Sequence, residues 1–306
     1  MQALRLHLLL QSATLLLWAC AIPMSAQTPA VTLDPAEVEA GSPELIRVDA
    51  PAGATANTKL EGDWLGEKLA FFRGRDGQAW YALAGVDVEA PVGPSSLRIK
   101  ATLNTEGGGA ATPNPIDLSQ SIEIHEAHYR TSALTVAPKF VEPGPQELAR
   151  IKAEMALKEK VFAQIAAAPL WSGDFRAPVH APPTDSFGTR RTFNGDLESV
   201  HKGMDFRAAP GTVVRAGNSG VVVLARRLYY EGNCVVIDHG LGLFTISMHL
   251  SRIDVREGQR VRLGQRIGLS GATGRVTGPH LHWAVRWQNA YLDPAKLLQM
   301  DLSGVR

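Results

Sequence analysis

The sequence predicts a mainly β protein in two unlike halves joined by one helix. Three observations predict it. Short apolar runs broken by Pro and Gly recur from Val31 to about Val136. A charged segment with apolar residues near helical spacing follows, and from Trp171 onward short, Gly-bounded, apolar-rich runs return. Runs of this length and punctuation are strand signals, and a 3.6-residue period is a helix signal. The expected organisation is a signal peptide over 1–26, an Ig-like β-sandwich accessory domain over 27–140, a linker helix within 141–170 and an antiparallel β domain over 171–306.

The first segment is read as a targeting signal. Arg5 precedes a mostly apolar stretch from Leu8 to Ala21, and "MSA" precedes Gln27. That is the pattern of a secretory signal cleaved near Ala26. The apolar run is shorter than the ~20 residues that span a bilayer. "LWAC" also offers Cys20 as a lipoprotein site, although Trp18 fits a lipobox poorly; membrane attachment is expected only if Cys20 is lipidated. Export places the chain in a periplasmic or secreted setting. No disulfide framework accompanies it, because Cys234 is the one other cysteine. Cys234 lies in "NCVVIDH", an apolar strand, and is expected to be a buried core residue.

The N-terminal strands include "ELIRVDA", in which Ile46, Val48 and Ala50 share a face by alternation. "KLAFF", "AWYAL", "SLRIKATL" and "SIEIHEA" follow, separated by turn-rich stretches. His125 and His128 at the end of this region read as solvated strand-edge residues. The linker predicts a helix from about Gln146 to Ala167, with Leu148, Ile151, Met155, Phe162 and Ile165 as its packing stripe. Pro145 suits its first turn and Pro169 ends the pattern. The formal charge of +1, with Lys and Arg spread along 306 residues, excludes an electrostatic nucleic-acid binder.

The C-terminal half concentrates the chemistry. In "TGPHLHWAV", His280 and His282 are two residues apart at the head of a strand, so both imidazoles project from one face. Two buried imidazoles without partners would each cost about 1–3 kcal/mol. A metal or a reacting group removes that cost. In "VHKGMDF", His201 and Asp205 are four apart and share a face under either a helical or a strand period. In "FTISMHL", His249 closes a strand, and alternation puts it on one face with Thr245 and Ser247. The inventory is four histidines and one aspartate. A catalytic zinc uses three protein ligands and keeps a fourth position open, which leaves two histidines for acid–base work or oxyanion stabilisation. Strand geometry does not decide which of His280 and His282 would bind metal. The glycines of "GLSGATGRVTG" do not form a phosphate loop, since no Gly-Lys-Ser/Thr follows.

Residues from about Asp185 to Pro294 resemble the lysostaphin-type zinc metallopeptidases, or LytM-domain peptidoglycan endopeptidases. The resemblance rests on "SFGTRRTFNG", "HKGMDF", "AAPGTVV", "GNCVVIDHGLGLFTISMHL", "VREGQRVRLGQRIGLSGATGRVTGPHLHW" and "LDP". It implies a LytM-type, duplicated-hybrid-motif-like antiparallel β domain that binds Zn²⁺. It implies His201, Asp205 and His282 as metal ligands, with His249 and His280 as the catalytic pair. The implied activity is hydrolysis of peptide stems or crosslinks of bacterial peptidoglycan. The alternative is a non-catalytic LytM-domain activator or regulator of cell-wall amidases, although such members usually lose ligands and all three are present here. Members often carry Tyr where Ser247 stands, so a substrate contact is expected to differ. His239 is expected to be structural or to support a ligand. His180 is expected to be solvated. Arg190, Arg191, Phe193 and Asn194 are expected to border the groove and to be available to substrate. The N-terminal half resembles accessory domains of Gram-negative members; its candidate uses are substrate targeting, partner docking or occlusion of the groove, and restraint of activity is the expectation, with targeting as its alternative.

Overall fold

The computed structural model describes residues 29–51, 54–55, 57–102, 116–195 and 197–305. The segment expected to act as an export signal, with Arg5 and Cys20, lies outside the described residues. The N-terminal half builds two facing sheets. One is four-stranded, in the order Val31–Asp34, Pro43–Asp49, Ala79–Gly85, Phe72–Arg73. The other is five-stranded, in the order Val38–Glu39, Ile116–His125, Gly93–Thr102, Lys59–Trp64, Glu67–Ala70. Ile46, Val48, Trp64, Trp80, Leu97 and Ile99 from both sheets share one core. Ile46 and Val48 point inward as alternation predicts, and His125 and His128 are exposed.

The C-terminal half is organised by one antiparallel sheet. Its strands run in the order Pro183–Asp185, Met204–Phe206, Leu281–Trp287, Leu243–Leu250, Gly232–Asp238, Gly220–Leu228, Arg260–Val261, with Ala290–Leu292 added beside Leu281–Trp287. Alternation sorts the two faces. Val235, Ile237, Leu243, Trp283 and Val285 enter the large core, while Cys234, Val236, Phe244, Ile246 and Ala284 turn to the other side. Cys234 is buried, as expected, and burial pushes its thiol pKa well up. His239 is also wholly buried, held by the Ser219 carbonyl at 2.8 Å and the Thr245 hydroxyl at 2.9 Å, and is structural.

Helix α1 (Pro145–Phe162) covers that second face. It ends before Ala167, where the sequence pattern placed its end. The reason is tertiary: the chain leaves the helix to bond the Asp238–Gly242 turn, with Leu241 N–H donating to the Ala166 carbonyl at 2.9 Å and Leu170 N–H to the His239 carbonyl at 2.7 Å. The packing stripe is also corrected. Leu148, Met155 and Ile165 are exposed, and Leu157, Val161 and Phe162 make the apolar contact. Polar side chains share the inward face. The Glu154 carboxylate accepts the Tyr229 N–H at 2.7 Å, and Lys158 pairs with Glu231. Buried Phe162 stacks edge-on against Phe244 with the Arg286 guanidinium 4.4 Å from its ring centroid. Its burial contributes about 1.5–3 kcal/mol.

The halves are docked by direct bonds. Asp293 N–H donates to the Gly41 carbonyl at 2.7 Å, Tyr291 N–H donates to the Asp87 carboxylate at 2.8 Å, and Lys296 pairs with Glu39 at 2.6 Å. The strand Thr131–Leu134, in the N-terminal half by sequence, pairs in parallel with Arg190–Phe193, which pairs with Leu197–Val200. The connecting segment is thus built into the C-terminal half.

Glu44 lies on the inward face of its strand, two residues before Ile46, with no exposure. Burial raises its pKa to about 8, against the Ser42 hydrogen bond and the Lys296 charge. A carboxyl raised in the folded state stabilises fully below its unfolded value and loses that contribution as pH rises toward 8. Glu44→Gln should therefore match the wild type near pH 4 and exceed it in denaturant stability at pH 7–8. The gap should widen by at most about 1.4 kcal/mol per pH unit. Parallel stability–pH curves for the two proteins would show that Glu44 ionises normally.

Candidate metal centre and its groove

Strand register brings the polar residues together. Asp205 pairs with Asp185 on one side and with His282 on the other, and His282 pairs with Met248. Directly paired residues in an antiparallel sheet project from the same face. Asp185, Asp205, His282 and Met248 therefore form a row across four strands, beyond the end of the face covered by α1. His201 precedes the Met204–Phe206 strand in a loop, so it is neither helical nor in the strand. That loop is fixed by His201 N–H donating to the Thr189 carbonyl at 2.9 Å and Gly188 N–H donating to the His201 carbonyl at 2.8 Å.

Three atoms converge in this row. His201 Nε2 lies 3.1 Å from Asp205 Oδ1 and 3.0 Å from His282 Nδ1, and His282 Nδ1 lies 2.9 Å from Asp205 Oδ1. All three residues are buried. A tetrahedral ion with bonds of 2.0–2.1 Å spaces its ligand atoms by about 3.4 Å, close to this spacing. Two imidazole nitrogens and one carboxylate oxygen are a borderline donor set that suits zinc. His201 Nδ1–H donates to the Ser186 carbonyl at 2.9 Å, which leaves the Nε2 lone pair facing the cluster. Asp205 Oδ2 accepts from Arg191 at 2.8 Å, and Arg191 also binds Asp185. Burial alone would raise the Asp205 pKa, but the adjoining His201 and His282 imidazoles outweigh it and hold the carboxyl well below the usual carboxylate range. Burial lowers the His282 pKa to about 4 despite Asp205. These residues fit a metal ion.

His249 and His280 stand beside the cluster. Their ring centroids are 4.9 Å apart, and His249 is 5.9 Å from the His282 ring. His249 Nδ1–H donates to the Thr273 carbonyl at 2.9 Å, and His280 Nδ1–H donates to the Gly278 carbonyl at 2.8 Å. In each, Nε2 keeps its lone pair, and His280 Nε2 lies 3.7 Å from Asp205 Oδ1. Burial, reinforced by His282 and His280, lowers the His249 pKa to about 3, so its imidazole is neutral at ordinary pH. Alternation does not place His249 as the sequence suggested. Ser247 pairs with Trp283, on the opposite face from Met248 and His282. His249 has φ +62, a left-handed backbone that breaks the alternation and returns its ring to the groove.

The groove has a volume of about 540 Å³. Of the loop residues expected at its border, Arg191 and Phe193 line it, Arg190 is exposed, and Asn194 turns away to bond both backbone groups of Val136. His180 is exposed. Ser247 does not line the groove; the phenol that does so on the His249 side is Tyr230. Asp185, Thr273, Tyr230 and Arg275 were not singled out by sequence reasoning. Asp185 is visible only through its register with Asp205, and Thr273 acts through its carbonyl, which no side-chain pattern reports.

Two close approaches hold this arrangement. A Cβ at Gly203 would lie 2.5 Å from His282 Nε2. A Cβ at Gly274, where φ is +80, would lie 2.4 Å from the Gly232 nitrogen and the Tyr230 carbonyl. Gly203→Ala should therefore displace His282 and weaken metal affinity by about 10–100-fold, the scale of losses from disturbed ligand support. Competition with a chelator measures it, and unchanged affinity with an unchanged melting temperature would refute the contact.

Residues 199–294 match the model of Peptidase family M23. The chain is 57% identical over 83 residues to the peptidoglycan DD-endopeptidase ShyA of Vibrio cholerae, covering 27% of this chain and 19% of that protein. It is 42% identical over 98 residues to the DD-carboxypeptidase/endopeptidase Mpg of Neisseria meningitidis, covering 32% of this chain and 23% of that one. The chain thus spans about a fifth of the length of these curated relatives. A solved structure of a candidate peptidase M23 from Pseudomonas aeruginosa superposes with TM-score 0.61 at 26% identity, covering 86% of this chain and 95% of that one. The five converging side chains, His201, Asp205, His249, His280 and His282, all fall inside the stretch that matches the family model, residues 199–294.

Proposed function

We propose that this chain is a zinc-dependent metalloendopeptidase that hydrolyses peptide stems or crosslinks of bacterial peptidoglycan. The observation that carries the reading is the convergence of His201 Nε2, Asp205 Oδ1 and His282 Nδ1, beside two further histidines held by their Nδ1 atoms with Nε2 left as an acceptor. The DD-endopeptidase names of ShyA and its V. cholerae paralogue ShyB supply the substrate class. His201, Asp205 and His282 would hold zinc. When bound, zinc supplies Lewis-acid polarisation of a carbonyl and lowers the pKa of a water toward about 7.

The chain's own residues do the rest. Neutral His249, fixed by Thr273, is set to accept a proton at Nε2 and to return it to the leaving amine. His280, fixed by Gly278 through Nδ1–H, turns its Nε2 lone pair toward the same space as a second proton acceptor, and once protonated there it would donate to the charge that develops on the scissile oxygen. Arg191 holds Asp205 in place through Oδ2 while Oδ1 faces the histidines. The expected site is extracytoplasmic, following export through residues 1–26. The domain limits given above are part of the proposal. So is restraint by the N-terminal half, which Leu134 and Val136 support by lining the groove.

Replacing His201 or Asp205 with Ala should abolish stoichiometric zinc in a protein that remains folded; full zinc by elemental analysis in both variants would remove the ligand assignment. His249→Ala and His280→Ala should keep zinc and lose turnover on purified peptidoglycan by about 10²–10⁴-fold. Wild-type protein that is zinc-loaded, inert on peptidoglycan and stimulatory to an amidase would favour the regulator reading. Trimming Leu134 and Val136 together to Ala should raise the initial rate if the connecting strand obstructs the groove, and a slower enzyme at equal zinc content would assign that wall to substrate binding.

A further inference from the structure

The groove contains one fixed positive charge that the fold does not use. The Arg275 guanidinium carbon lies 4.6 Å from the Phe193 ring centroid and 4.7 Å from the Tyr230 ring centroid. Its backbone is held as well, since Arg275 N–H donates to the Tyr230 carbonyl at 2.8 Å. Among the described residues no side-chain or backbone acceptor bonds the guanidinium. The neighbouring charges are already matched. Arg191 is bound to Asp185 and Asp205, Lys202 pairs with Glu89 at 2.7 Å, and Glu231 is taken by Lys158.

Arg275 is half-buried, and with no protein acceptor its guanidinium donors are left to solvent in the free protein and are available to a ligand. Stacking on aromatic faces contributes about 0.5–2 kcal/mol and fixes orientation, but it satisfies none of the five N–H donors. Those donors form a rigid fork that matches a carboxylate in two parallel hydrogen bonds. The fork is placed where a substrate would pass. Arg275 lines the same groove as His201, Asp205, His249 and His282, and Thr273, two residues earlier, holds His249.

We propose that Arg275, clamped between Phe193 and Tyr230, is a carboxylate-recognising subsite that selects peptides bearing a free carboxylate on a residue flanking the scissile bond. This rests on the endopeptidase reading above. Stem peptides of peptidoglycan offer two such groups, a C-terminal carboxylate and a side-chain carboxylate on an acidic residue. Lysine is a poor substitute at this position, because an ammonium neither stacks as a plane nor offers the paired donors.

The test is calorimetric titration of the zinc-loaded full chain with a synthetic stem tetrapeptide in three forms: free acid, C-terminal amide and side-chain amide. One amide should bind the wild type about 10–100-fold more weakly than the acid, and which one it is identifies the carboxylate. Arg275→Gln should bind all three forms equally and weakly, with Arg275→Lys between the two proteins. Equal binding of the three forms by the wild type, no binding of any, or an acid preference that survives Arg275→Gln would overturn the subsite. The wild-type comparison needs no variant, so a misfolded Arg275→Gln does not blur it. Hydrolysis of a crosslinked muropeptide is read in parallel. An acid preference without hydrolysis would refute the endopeptidase activity and leave the subsite standing.

Discussion

Everything at the metal centre depends on the register between Met204–Phe206 and Leu281–Trp287. Asp205 meets His282 because the two are paired directly. On the reverse face of the same strands, Met204, Phe206, Leu281, Trp283 and Val285 are locked in the large core. A slip of one residue would turn the aspartate and the histidine into that core and bring apolar side chains into the groove. The apolar side therefore specifies the polar side. His201 is the one member of the trio that arrives from a loop, and two backbone hydrogen bonds to Gly188 and Thr189 take the place of a strand ladder there.

His249 follows a different logic. Its left-handed backbone costs on the order of 1–3 kcal/mol for a residue with a side chain. Three bonds hold it: its N–H donates to the Glu231 carbonyl at 2.8 Å, its ring donates to the Thr273 carbonyl at 2.9 Å, and its own carbonyl accepts the Thr273 N–H at 3.4 Å. Glu231 is in turn tied to α1 through Lys158. The two glycines Gly232 and Gly274 let the Thr273 loop press against the Tyr230–Gly232 turn without a side chain between them. The strained histidine is thus supported from the helix on one side and from a glycine contact on the other.

Much of this was legible in the sequence. Two histidines two apart, a histidine and an aspartate four apart, and a histidine closing a strand announced five side chains, and all five do line one groove. The mainly β character and the connecting helix were equally plain from periodicity. The helical stripe was misread for a physical reason. Glu154 and Lys158 face inward to satisfy a backbone N–H and a buried carboxylate, so apolar spacing alone did not report the packed face. The orientation of His249 was misread because alternation assumes extended backbone at every residue. Arg191 could be placed near the groove from its loop, but its bonds to Asp185 and Asp205 depend on strand pairing, which a linear pattern does not encode.

The parallel pairing of Thr131–Leu134 with Arg190–Phe193 bears on how modular this chain is. The family match begins at residue 199, yet the strand that supplies Arg191 and Phe193 lies before it and leans on a strand contributed from still earlier in the chain. Helix α1, also upstream, shelters Cys234, Val236 and Phe244. A fragment cut at the family boundary would present a bare apolar sheet face and unpaired strand edges, features that drive self-association. The stretch that matches the family and the stretch whose apolar surface and strand edges are covered are therefore different lengths of this polypeptide.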